Sequence, residues 1–436
     1  MTRPVDPSAI GDMRSANGKG RSAAGRLASL DGLRGVAALV VLGFHLSALS
    51  PLVATYMIDK GPAPATFTPL WWAVASPLRL FTAGDEAVFV FFVLSGVVLT
   101  LPVLRQHDFD WLRFLSARVL RLFLPVAASL LLATALTRIW ARSPGPSLSS
   151  WLSEPYNALS ISPGQLLANM DLIFSDMIVN GPAWTIRWEM LFSLLLPVVL
   201  GLCIAIRRRW RVGLASIALV IVIGLQLGVS SLVFLPIFAI GVILALRIED
   251  LSSVYLSSQI ARPRRTLLLT VCVVAMAFVL LAAAVVIRPY VDPAGPIAVA
   301  ARVGTIFGAA LLVAVIAVVW PDRGWLTCSV AQWLGKISFS LYLVHQPILA
   351  TFGFAFGGGN WVLAAVLGAL VSFAVAYGFW RFVESPSHHC ARLFGQWVTN
   401  SSRSLAEIGR GRGSPTSLVK RSTLERAEPN PQDREP

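Results

Sequence analysis

The amino-acid sequence points to an all-α polytopic membrane protein, a helical bundle of about ten transmembrane spans, and three observations lead there. Of 436 residues, 56% are hydrophobic and only 13% are charged, where a soluble domain averages about 25% charged residues. Mean hydropathy is +0.71. The apolar residues gather into runs of about 20, the length an α-helix needs to cross a bilayer.

The runs fall at 34–50, 84–103, 121–140, 186–206, 212–228, 230–246, 266–287, 300–320, 336–355 and 361–382. The fifth and sixth are the weakest division, because Gly228 and Ser230–Ser231 only lightly punctuate one continuous apolar stretch. Taking the N-terminus as cytoplasmic, the inner segments hold Arg105, Arg113, Arg118 and Arg121, the run RRRWR at 207–211, and Arg262, Arg264 and Arg265, while the outer segments hold little beyond Lys60, Arg79, Arg142 and Arg288. That alternation follows the positive-inside rule and predicts an even number of spans with both termini cytoplasmic. It also accounts for the net charge of +14 as loops facing anionic lipid, with no nucleic-acid partner implied.

Residues 1–28 are rich in Gly, Ser, Ala and Arg and read as a disordered cytoplasmic segment, with the first span expected to be an uncleaved anchor. The membrane domain is expected over 29–390, and 391–436, which ends RAEPNPQDREP, as a disordered cytoplasmic tail. The connection 141–185 should lie outside, with room for a short re-entrant or interfacial piece. The four cysteines are scattered, without metal spacing, and read as packing residues; no metal site is expected.

Polar groups inside the spans are the candidates for chemistry, because ionisable residues are costly in a bilayer and usually face a polar cavity. In the first span Arg34 and His45 stand eleven positions apart, which is about three helical turns. They share a face, roughly 16 Å apart along the axis, with Arg34 at the inner surface and His45 deeper. The plainer readings are a snorkelling anchor for Arg34 and a hydrogen-bonded packing residue for His45. Ser95–Gly96 is a small pair that permits close helix approach. Arg187 and Glu189 lie among Trp184, Trp188 and Phe192 at the outer end of the fourth span, where an aromatic belt with a local ion pair is the plain alternative. In the ninth span Ser338, Tyr342 and His345 form a polar stripe at helical spacing.

Several of these stretches also carry a resemblance. LDGLRGVAALVVLGFH (30–45), FFVLSGVVLT (91–100), FLSARVLRLFLP (114–125), WTIRWEMLFS (184–193), GKISFSLYLVHQP (335–347) and FVESP (382–386) resemble, in order and spacing, the motifs of the acyltransferase-3 family of integral membrane O-acyltransferases. The match spans about 28–390, without a fused C-terminal soluble domain. It departs from the family pattern at Ala117, Arg187, Trp188 and Ser193.

The resemblance implies acyl transfer, acetyl by default, from cytoplasmic acyl-CoA as co-substrate to a hydroxyl of a surface or exported carbohydrate, in a bacterial inner membrane. It implies that Arg34, Arg118, Arg121 and Ser95 serve the acyl-CoA. His45 would be the catalytic base and Glu189 would orient a histidine or bind the acceptor. Trp184, Tyr342 and His345 would line the acceptor side. Arginines at 118 and 121 are also what the positive-inside rule alone predicts. The other class to weigh is a transporter or flippase of a carbohydrate or lipid-linked precursor, with the buried His, Glu and Arg as a proton relay; no repeated halves of the kind common in transporters are visible. A third is an inactive family member acting as an assembly partner, against which Arg34, His45 and Glu189 argue. The acyl group, the acceptor and the oligomeric state are not legible in the sequence.

Overall fold

The computed structural model describes residues 27–409 except 60, 63, 141, 144, 146, 159, 176 and 177. Within the described residues the chain is helical, with no strand, and ten helices are long and apolar enough to cross a membrane. They are α1 (Ala28–Ala48), α2 (Gly84–Arg105), α3 (Trp111–Ile139), α4 (Trp184–Ala205), α5 (Trp210–Leu227), α6 (Ser230–Ala261), α7 (Pro263–Ile287), α8 (Pro296–Val319), α9 (Ser329–Phe356) and α10 (Trp361–Phe379). Every expected span is present. The doubtful division holds because Gly228 takes φ +67°, a left-handed cap that ends α5.

The bundle is held by close backbone contacts at glycines, as expected where lipid removes the hydrophobic drive for helices to associate. α1 and α9 run in the same direction. A Cβ on Gly35 would come 2.6 Å from the Gly335 nitrogen, and one on Gly335 would overlap the Asp31 carbonyl. Gly96 makes the same kind of contact for α2, where a Cβ would come 2.9 Å from the Gly241 Cα of α6. Calling the end where α1 begins the near end, the short helices Pro51–Met57, Pro69–Val74 and Pro77–Thr82 and the described residues of 142–180 lie at the far end.

The far connection dips into the bundle. Pro347 in α9 has no N–H, so the carbonyl of Leu343, four residues earlier, lacks its helical donor. The Asn180 side chain fills the gap: its Nδ2 donates to Leu343 O at 2.9 Å and to Ser129 Oγ of α3 at 3.1 Å. The expected re-entrant piece is therefore the stretch leading into α4, pinned at mid-helix depth. Arg142 fastens the connection's other limb, donating to the carbonyls of Asn157 and Pro347 and to Thr351 Oγ1. Burial lowers its guanidinium to about 10.

The two ends differ from the sequence reading in extent. Of the expected irregular segment 1–28, residues 1–26 lie outside the described residues, and α1 already begins at Ala28. The tail does not become irregular at 391. After a π-helical turn, Trp380–Glu384, the chain continues as α11 (Ser385–Gly409). α11 packs on the near half of α3, where Gly395 meets the Arg113 carbonyl and the Ala117 Cβ. Asp110 caps α3 and accepts from Thr399 Oγ1 at 3.1 Å. Its composition is polar because one side alone packs. Residues 410–436 lie outside the described residues.

Replacing Gly335 by Ala should lower the thermal unfolding midpoint in detergent by the equivalent of about 1–3 kcal/mol, the usual cost of overpacking. Gly201→Ala, in α4 with no atom within 4 Å of the added Cβ, should leave the midpoint unchanged. Equal midpoints for the two variants would contradict the close α1–α9 contact.

Candidate functional site

The parallel α1–α9 contact fixes what faces what. Position 35 meets 335, and ten residues on, His45 meets His345, with His345 Nε2 3.1 Å from His45 Nδ1. Each ring also has its Nδ1 on a backbone carbonyl one turn back, His45 on Val41 O at 3.0 Å and His345 on Leu341 O at 2.8 Å. A carbonyl only accepts, so both Nδ1 atoms carry the hydrogen. His345 Nε2 is then a lone pair, and it accepts from His45 Nδ1–H, which it shares with Val41 O. The lone pair of His45 is left on Nε2. Val41 O sets the tautomer of His45, and the second histidine adds a second acceptor for the same Nδ1–H. The indole of Trp151 closes the far side, its ring centre 5.6 Å from that of His45.

Below the histidine pair, toward the near end, lies a narrow cavity of about 40 Å³ between α1, α2, α4 and α9. Arg34, Ser95, Glu189 and Ser338 supply its polar groups, and Val88, Phe91, Phe92, Ile186 and Phe339 its apolar walls. Tyr342 and Thr185 line it too, joined by a 2.9 Å hydrogen bond. Thr185 Oγ1 donates to Pro182 O, so the Tyr342 hydroxyl is the donor to Thr185. Tyr342 and His345 are neighbours, with ring centres 6.1 Å apart. Arg34 and His45 thus stand at successive depths along one side of α1, as their spacing predicts.

The other basic residues are differently engaged. Arg118 bonds the Glu189 carboxylate, and its Nε donates to Ser193 Oγ at 3.3 Å. Both members of the ion pair are largely buried, with side chains 8% and 14% exposed. Arg121 donates from Nε to His388 Nε2 at 3.1 Å, which leaves that ring neutral. Neither Arg118 nor Arg121 lines the cavity; of the three arginines proposed for the donor, Arg34 does.

Glu189 is also not where its sequence position suggests. The re-entrant stretch starts α4 inside the bundle, so Glu189 reaches the near half of α3, and its carboxylate meets Arg118 instead of a histidine. Trp184 packs against Phe92 and Phe234 at 6.4 and 5.1 Å, behind the Phe92 that lines the cavity, and does not itself line it. Ser193, one of the four departures from the family pattern, is the hydroxyl that accepts from Arg118 Nε.

Sequence reasoning assigned no role to Glu384, His388, Ser340 or Trp151. Glu384 ends the π-helical turn and accepts from Ser340 Oγ at 2.5 Å. An acid at the end of an apolar helix was a signal for it. Nothing local marks Trp151, whose proximity to His45 comes only from the far connection folding back. Among the described residues no cluster of His, Cys, Asp or Glu could hold a metal ion.

A family model described as an acyltransferase domain, that of the acyltransferase-3 family, matches residues 27–381. No curated protein and no solved structure matches the chain. The chain belongs to the acyltransferase-3 family and is a multi-pass membrane acyltransferase.

Breaking the Arg118–Glu189 pair on one side should cost more than removing both charges, because one partner alone leaves a buried carboxylate uncompensated. Arg118→Met should destabilise the purified protein by about 3–5 kcal/mol. Arg118→Met with Glu189→Leu should recover a large part of that in the same thermal melt. A double variant no more stable than the single one would contradict the pairing.

Proposed function

We propose that this acyltransferase moves an acyl group, acetyl being the family's default, from acyl-CoA to a hydroxyl of a carbohydrate. The near end faces the cytoplasm in this reading, and the acceptor approaches from the far end. The observation that carries it is the alignment of Arg34, the apolar-walled cavity and the His45–His345 pair along α1 and α9. A cation at the cavity mouth suits the phosphates of coenzyme A. The apolar walls suit its uncharged arm. The basic segments at the near end, 207–211 and 262–265, support the orientation by the positive-inside rule.

In the chemical step His45 Nε2 takes the proton of the acceptor hydroxyl as its oxygen attacks the thioester carbonyl carbon. The C–S bond breaks, and the sulfur leaves with the proton returned from His45. A neutral imidazole suits both transfers. Val41 O and His345 accept from His45 Nδ1–H throughout, so the ring keeps the tautomer with its lone pair toward substrate and the imidazolium is stabilised as it forms. His345 is in this reading a positioning residue. Arg118 holds Glu189 in place at the cavity wall, and Arg121 with His388 adds positive charge at the near end without entering the cavity.

Purified protein in detergent should transfer radiolabel from acetyl-CoA to a sugar acceptor. Transfer needs no sealed membrane, whereas a transporter does, so absence of labelling in detergent alongside sugar uptake into proteoliposomes would instead support transport. His45→Ala that inserts normally should lose about 10²–10⁴-fold in rate. His345→Phe, which removes one of the two acceptors of the Nδ1–H and leaves Val41 O, should lose up to about tenfold, the worth of one hydrogen bond. His345→Gln keeps a side-chain acceptor and should lose less. Equal losses for Phe and Gln would remove His345 as an acceptor that supports His45.

A further inference from the structure

A larger cavity than the one below the histidines lies elsewhere, at the far end between α5, α7 and α8. It holds about 390 Å³, within the range of about 300–1,000 Å³ usual for ligand sites. It shares no lining residue with the cavity below the histidines.

The packing of α7 on α8 defines its floor. Near mid-helix the two backbones touch, since a Cβ on Gly308 would come 2.7 Å from the Leu281 nitrogen. One turn on toward the far end, Thr305 Oγ1 donates to Leu280 O at 3.1 Å and accepts from the Ala284 N–H at 3.3 Å. Beyond that pin the cavity opens, bounded by the end of α5 at Leu225 and Gln226 and by the connection at Val291 and Pro293. α5 and α7 are the least buried of the ten spans. Leu227 at the end of α5 is 67% exposed, so the rim of the cavity meets lipid.

Its lining is mostly apolar but includes two arginines, Arg288 and Arg302, and no acid. At the far end the positive-inside rule gives no reason for arginines. Arg288 lies over the Tyr56 ring at 5.5 Å and makes no ion pair among the described residues. Arg302 reaches one oxygen of Asp85 at 3.3 and 3.4 Å, longer than the roughly 2.7–2.9 Å of a strong charge-assisted bond. Both side chains of that pair are partly exposed, at 33% and 59%, where an ion pair is worth little. The acid of the connection, Asp292, is turned back to the Ala294 N–H at 3.0 Å. The two guanidiniums thus keep donors to offer.

Two cations above an apolar floor, at the depth of a lipid headgroup and open to lipid, match one kind of molecule. We infer that this cavity is a binding site for an anionic glycerophospholipid of the far leaflet, its phosphate held by Arg288 and Arg302 and an acyl chain lying against Leu225, Ile287 and Val299. Guanidinium suits phosphate because its planar donors can meet two oxygens at once, and basic pockets between spans are where anionic headgroups are held. A bound lipid fills the space between α7, α8 and α5 with matter that no side chain supplies. The assignment does not rest on the acyl-transfer reading.

The test uses the full chain, delipidated in detergent and titrated with phosphatidylglycerol or with phosphatidylcholine of the same acyl chains, with bound lipid counted by native mass spectrometry. One phosphatidylglycerol should bind saturably, at least fivefold tighter than phosphatidylcholine, whose choline the arginines repel. Arg288→Gln should cut that preference about fivefold, the worth of one arginine near a headgroup. Ala298→Phe, at a lining position, keeps both arginines and fills the space. It should weaken phosphatidylglycerol about tenfold or more, with the lipid-free melting temperature unchanged. Arg264→Gln with Arg265→Gln, at the near end, should leave the preference intact. Equal binding of the two lipids would overturn the site. So would wild-type affinity in Ala298→Phe, since charge alone would then hold the lipid, or a loss in the near-end double variant as large as in Arg288→Gln. Displacement of phosphatidylglycerol by an equal concentration of glycerol 3-phosphate would assign the arginines to a soluble phosphate and overturn the lipid.

Discussion

The contact on which the rest of the site depends is the close parallel packing of α1 on α9 at Gly35 and Gly335. Two helices in lipid gain little from apolar side chains alone, because lipid is equally apolar; backbones that approach closely gain dispersion contacts instead. The absence of side chains at 35 and 335 sets the separation and the register together. Ten residues along the same two helices that register brings His45 and His345 to hydrogen-bonding distance. Two glycines near one end thus decide the cross-helix partner of a histidine about 15 Å away.

A second constraint comes from proline chemistry. Pro347 strips the Leu343 carbonyl of its helical donor, and Asn180 supplies one from the far connection. Satisfying that one carbonyl pulls the start of α4 into the bundle, as must happen wherever non-helical backbone enters at membrane depth. The consequence reaches to the near half, where Glu189 arrives opposite Arg118 and not at the far surface. The same connection, stapled by Arg142 to α9, brings Trp151 beside His45.

The near-half charges then divide their labour. A carboxylate and a guanidinium buried together are tolerable because each compensates the other, so Arg118 and Glu189 form part of the wall. Arg121 is turned to His388, and Glu384, carried by the π-helical turn, to Ser340. A π-turn inserts one extra residue into a helix and re-aims the residues after it, and here the turn joins α10 to the α11 that lies along α3. Arg34 remains the arginine at the cavity, in line with the histidine pair.

By itself the sequence determined the ten spans, because a bilayer demands unbroken apolar runs with internally bonded backbones and so writes each span as a local signal. It also determined that Arg34 and His45 share a face, since both lie on one helix of fixed pitch, and its motifs named the family. α11 escaped it, because a helix that packs on one side only has the polar composition of a tail. Glu189's depth escaped it too, since depth there depends on where the preceding backbone finds a hydrogen-bond partner. Only the tertiary structure decided that His45 meets a histidine 300 positions away, that Glu189 belongs to Arg118, and that Asn180 reaches the Leu343 carbonyl. Those are pairings between distant segments, fixed by glycine contacts and freed carbonyls, and no local pattern of residues encodes which distant partner will fill them.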